Sequence, residues 1–88
     1  MKWIIYNGIL LNEYSIKAMQ RNLESCVFDE RVRSVHTMYS TFIELIDKQE
    51  SSDREEPGTQ GVLMNDCDTH IHYTIDEDYD IIIDKVVW

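Results

Sequence analysis

Cys67, His70 and His72 stand as Cys-x-x-His-x-His, the densest grouping of soft metal-ligand residues in this chain of 88. Zinc takes thiolate and imidazole ligands in a tetrahedral set, and Cys26, His36 or Asp68 could supply a fourth. The chain has neither a Cys-x-x-Cys pair nor a His-x(3–5)-His pair, so the expectation is that no metal or other cofactor is held. A small metal-binding, homodimeric accessory domain using Cys67, His70 and His72 is the alternative. Asp76, Asp78 and Asp80 give the Asp-x-Asp-x-Asp opening of an EF-hand loop. The glycine due at the sixth position is Ile81 and the glutamate due at the twelfth is Val87, so specific calcium binding is not expected. His72-Tyr73-Thr74 is one His-x-Thr element without the second copy that phosphoesterase chemistry uses. A reactive cysteine needs a positive setting to ionise, and Cys67 stands between Asp66 and Asp68. Gly8, Gly58 and Gly61 are too scattered to cradle a phosphate. No catalytic constellation emerges, and the chain is expected not to be an enzyme.

What remains is charge. Lys and Arg total 8 and Asp and Glu total 17, a formal net charge of −9. Residues 1–44 hold five acids (Glu13, Glu24, Asp29, Glu30, Glu44) against five bases (Lys2, Lys17, Arg21, Arg31, Arg33). Residues 45–88 hold twelve acids against Lys48, Arg54 and Lys85, so the whole surplus lies there. Within it, Asp66, Asp68, Asp76, Glu77, Asp78, Asp80 and Asp84 follow one another with no base until Lys85. These seven are the expected partner-binding residues. Alternate residues of a strand lie about 6.6 Å apart, so carboxylates such as Asp78 and Asp80 would approximate a row of phosphates. Crowded like charges cost stability, which a small domain can spare little of. The competing reading is a solvated, solubilising acidic surface. Direct nucleic-acid binding is disfavoured, because the phosphate backbone repels such a chain.

The elements that must carry these side chains follow from periodicity. Lys2–Tyr6 and Ile9–Asn12 read as strands joined by Asn7-Gly8, a pair suited to the positive φ angles of a type I′ turn. Ile16, Met19, Leu23 and Cys26 then recur on one helical face, with Asn12 or Ser15 as cap. Val32, Val35, Tyr39, Phe42 and Ile46 form a second stripe, out of register with the first, and Asp29 can cap it. A single helix over 15–49 would run about 52 Å. A break near 26–29 is expected, the alternative being one long helix that needs a partner chain. The second stripe is expected to be core, although a second copy could share it, so a homodimer is possible. Residues 49–61 are polar, contain Pro57-Gly58 and read as a mobile loop. Val62–Met64, Thr69–Ile75 and Tyr79–Trp88 follow as strands, the last placed centrally beside the first hairpin. The expectation is one α+β domain over 1–88: an antiparallel sheet of about 4–5 strands in the order β-β-α-α-β-β-β, with one or two helices packed on one face.

No apolar run approaches a membrane span. Met1–Tyr6 lacks the pattern of a signal peptide, and two lone cysteines suit a reducing compartment, so a cytoplasmic location is expected. Size and charge together place the chain by analogy with small acidic inhibitors: phage anti-CRISPR and anti-restriction proteins, DNA mimics, and immunity proteins or antitoxins against nuclease toxins. The expected partner is a basic nucleic-acid-binding protein such as a nuclease or a CRISPR or restriction effector.

Overall fold

The structure is a computed structural model that describes residues 2–27 and 29–88. β1 (Ile4–Tyr6) and β2 (Ile9–Leu11) form the opening hairpin. Asn7 and Gly8 take φ of 51° and 77°, the paired left-handed geometry of the expected turn. Asn12 caps α1 (Glu13–Glu24): its side chain accepts from the Ser15 N–H while Ser15 Oγ accepts from the Asn12 N–H, at 2.8 and 2.9 Å. Asp29 caps α2 (Glu30–Glu50) by accepting from the Val32 N–H at 3.0 Å. The two helices are separate, with the break where it was expected; Phe28, within it, lies outside the described residues. β3 (Gln60–Met64), β4 (His70–Ile75) and β5 (Ile81–Val87) complete the chain.

The five strands form one sheet in the order β2-β1-β5-β4-β3, so the last strand sits in the middle beside the first. The sheet is antiparallel in three of its four pairings, as expected, and mixed through the fourth. β1 and β5 run parallel, with Ile4 opposite Ile81 and Tyr6 opposite Ile83, whereas every other pairing is antiparallel. The parallel ladder begins at the chain start. Trp3 O accepts from the Ile81 N–H at 3.0 Å, so both strands begin at the same end of the sheet.

The helices pack on one face. Ile4, Ile16, Phe42, Ile46, Ile71, Ile75 and Ile81 are buried in a shared core. The Phe42 ring meets Tyr6 and Tyr39 edge-on, with centroids 5.3 and 5.9 Å apart. The second stripe is therefore spent inside the molecule at Phe42 and Ile46, not offered to another copy. Between His72 and Tyr73 the β4–β5 register shifts, and Asp84 has no opposite number. This bulge lets Ile81, Ile83 and then Val86 all reach the core side, and leaves Asp84 and Lys85 both exposed. The other face of the sheet carries Ile5, Leu10, His70, His72, Thr74 and Ile82 by strand alternation.

The segment read as a loop over 49–61 is bounded more closely by the elements on either side. α2 continues to Glu50 and β3 begins at Gln60. In between, the Gly58 N–H donates to Ile75 O at 2.8 Å and the Ile75 N–H donates to Thr59 O at 2.9 Å. Among the described residues, no helix is long and apolar enough to cross a membrane.

Candidate functional site

Gln49 is 2% exposed although it stands in the last turn of α2. A buried primary amide must find partners. Its Oε1 accepts from the Glu55 N–H at 2.8 Å, and its Nε2 donates to Glu55 O and to Tyr79 O at 3.2 and 3.4 Å. One side chain thus ties the segment after α2 to the turn between β4 and β5.

Glu55 continues the connection. Its Oε1 accepts from Lys48 Nζ and from the Tyr73 hydroxyl, both at 2.7 Å. Burial acts to raise the Glu55 carboxyl, but the bonds from Lys48 and Tyr73 and the Lys48 charge outweigh it and hold the group below the ordinary carboxylate range. Burial first, then the Glu55 carboxylate, pushes Tyr73 up to about 12. Tyr73 reaches Glu55 across Gly61, its partner in β3; a Cβ there would lie 2.5 Å from the ring.

The β4–β5 turn, residues 76–80, is organised by its own acids. Asp76 Oδ1 accepts from the Asp78 and Asp80 N–H groups, both at 2.9 Å. Asp80 Oδ1 accepts from the Trp3 N–H at 3.0 Å, and Glu50 Oε1 accepts from the Lys2 N–H at 3.1 Å. Lys2 Nζ donates to Asp78 O at 3.0 Å. The Tyr79 hydroxyl donates to Glu56 at 3.1 Å, and Arg54 lies 4.2 Å from the centroid of the Tyr79 ring.

These contacts gather the last turn of α2, residues 51–59 and the β4–β5 turn at one end of the molecule. That end holds nine acids (Asp47, Glu50, Asp53, Glu55, Glu56, Asp76, Glu77, Asp78, Asp80) against three bases (Lys2, Lys48, Arg54). Six of the nine surplus charges therefore lie there. Glu77 and Asp78 are exposed, and their carboxylates take part in no hydrogen bond or ion pair among the described residues.

The seven acids singled out in the sequence do not form one strip. Asp76, Glu77, Asp78 and Asp80 belong to this acidic pole. Asp66 and Asp68 lie in the β3–β4 turn at the far end of β4, and six residues of strand put about 20 Å between the two turns. There they border a cleft with Glu30, Arg33, Ser34 and Cys67, beside the start of α2. Asp84 is the bulged residue on the open face, where it accepts from Thr74 Oγ1 at 2.6 Å. Nor do Asp78 and Asp80 extend along a strand as a row of phosphates would: they sit in a tight turn. Glu50, Asp53, Glu55 and Glu56 were not among them, because contacts distant in sequence, from Gln49, Lys2 and Tyr79, bring that segment to the turn.

Cys67, His70 and His72 are not brought together. Cys67 Sγ lies 3.6 Å from Thr37 Oγ1 of α2, on the helix side. His70 and His72 lie on the open side, where His70 Nε2 approaches Met64 Sδ at 3.1 Å. Of the further ligands considered, His36 pairs with Glu24 at 3.0 Å and Cys26 is exposed after α1. Among the described residues, the group of three or more ligand-type side chains with converging donor atoms is Asp76, Asp78 and Asp80. One of its oxygens is already engaged by two backbone N–H groups.

No protein-family model, curated protein sequence or solved structure matches this chain.

Proposed function

We propose that this protein is a small, non-enzymatic, cytoplasmic inhibitor of the phage counter-defence type. In this reading its acidic pole occupies the basic groove of a nucleic-acid-binding protein, such as a nuclease or a CRISPR or restriction effector. The observation that carries the reading is the assembly of nine acids against three bases from separate stretches of chain, held by a buried Gln49 and by Glu55. A merely solubilising surface gains nothing from concentrating charge. Crowding it costs stability through self-repulsion, whereas a groove built for phosphates rewards it with fast, steered association. Arginines of such a groove would pair with the uncommitted Glu77 and Asp78 carboxylates in place of phosphate oxygens.

The test is affinity capture from the source cell or its host, followed by a nucleic-acid-binding or cleavage assay on the captured protein. The expected result is one basic partner, released by salt, whose activity falls stoichiometrically with added protein. It should recover when Glu77→Lys/Asp78→Lys replaces the wild type. A partner without a basic nucleic-acid site, or full inhibition by that double variant, overturns the reading.

A further inference from the structure

We propose that β3 is the pairing edge for a second copy of this chain, joined antiparallel about a two-fold axis at Val62. β3 is the outermost strand on its side of the sheet. The Ile75 N–H bonds to Thr59 O and the Asn65 N–H bonds to Thr69 O, which fixes the phase of the ladder. Hydrogen-bonded positions alternate in an antiparallel pair, so residues 59, 61, 63 and 65 bond towards β4. The backbone N–H and C=O groups of Gln60, Val62 and Met64 therefore point away from the sheet.

Sheet edges are normally blunted by a lysine, a proline, a bulge or short length. β3 has none of these: it runs five residues in unbroken register with β4, and residues 57–65 carry no charge. The other edge, β2, has only three residues before α1 follows. The side chains of Gln60, Val62 and Met64 share the face that the helices leave open, and Val62 and Met64 are 57% and 60% exposed. Two-fold pairing sets Val62 against Val62 and Gln60 against Met64 of the second copy. It makes three hydrogen-bonded residue pairs and sets each exposed side chain beside one of the second copy.

The charge-free stretch 57–65 lets a second copy meet β3 without charges facing one another at the seam, and the acidic pole sets its direction. The acidic pole lies at the Gln60 end of β3, next to Thr59 and Ile75. Antiparallel pairing sends the two poles to opposite ends of a ten-stranded sheet, so repulsion between two chains of −9 is least there. The seam is uncharged, and a two-fold makes one strand complementary to itself. A five-residue seam is small for a permanent interface, so the association is concentration-dependent.

The experiment is sedimentation equilibrium of the full chain over a concentration series, with circular dichroism to verify folding. Wild type should pass from monomer to dimer. Val62→Lys and Val62→Glu should each remain monomeric, because like charges meet at the axis, about 5.5 Å apart at Cα. Mixing the two should restore a dimer, now a heterodimer. Leu10→Lys, on the other edge, should dimerise as wild type does. A wild type that stays monomeric throughout, single Val62 variants that still dimerise, a mixture that remains monomeric, or loss of the dimer in Leu10→Lys would each overturn the proposal. Such a result would return the β3 edge to solvent or to another protein's strand.

Discussion

The Tyr73 hydroxyl donates to Glu55 Oε1 at 2.7 Å, and through this bond the central hairpin holds the segment that follows α2. The pair makes stability depend on pH at both extremes. Glu55 titrates below its ordinary range in the fold, so its contribution is present above that range and is lost as pH falls through it. Tyr73 is raised from 10.0 to about 12, so its contribution is complete below pH 10 and fades as pH rises towards 12. Tyr73→Phe should cost about 1–2 kcal/mol at neutral pH. It should also flatten the alkaline limb of a denaturation series, and Glu55→Gln should shallow the acid limb. Unchanged limbs in both variants would show that the bond is not formed in solution.

Gly61→Ala tests the same contact from the other strand. The added Cβ would meet Tyr73 Cζ and Oη at 2.5 Å, so the ring must leave Glu55. Carbon NMR titration of the tyrosine Cζ signals should show the Tyr73 pKa returning towards the ordinary value, together with a lower unfolding midpoint. A retained high pKa would mean that the ring accommodates the methyl group without losing its partner.

Phe42→Ala addresses the core. Phe42 is 0% exposed and meets two other rings, so its removal should cost about 3–5 kcal/mol. Equilibrium denaturation measures this directly. A midpoint near that of wild type would place Phe42 outside the core.

The elements were legible in the sequence because their signals are local. Asn7-Gly8, the caps Asn12 and Asp29 and the shift from period 3.6 to period 2 each lie within a few residues of what they specify. Strand direction is different: no local signal in Ile4-Ile5-Tyr6 or Ile81-Ile82-Ile83 says which way the two strands run relative to each other, and the parallel pairing shows only in the fold. The acidic pole was half legible. Residues 76–80 stand out as a run of acids, but Glu55 joins them through Gln49, a polar residue that no hydrophobic pattern marks as buried, and Glu50 through Lys2. The run over 66–84 looked continuous only because sequence order does not show that β4 carries its two ends apart.

Free DNA or RNA should not be bound at physiological salt. Six surplus negative charges occupy one pole, and Arg31 and Arg33 at the start of α2 stand beside Asp29 and Glu30. Retention of a labelled oligonucleotide at submicromolar protein, without any partner, would contradict the proposed function.

Glu77, Asp78 and Asp80 should separate recognition from folding. The Asp80 carboxylate serves the Trp3 N–H, next to the parallel seam of β1 and β5. Asp80→Ala leaves that donor without its partner and should cost about 1–3 kcal/mol. The Glu77 and Asp78 carboxylates form no hydrogen bond or ion pair among the described residues. Glu77→Lys/Asp78→Lys should therefore leave the unfolding midpoint unchanged or raise it, since like charges are relieved. The same double variant should slow association with a basic partner, and the deficit should shrink as salt rises. Glu24→Gln, on the helical side, is the control and should associate at the wild-type rate. The measurements are thermal unfolding and association kinetics at two ionic strengths. If the double variant associates normally while changes at Glu24 or Arg31 abolish binding, recognition belongs to the helices. The acidic pole is then a solvated surface.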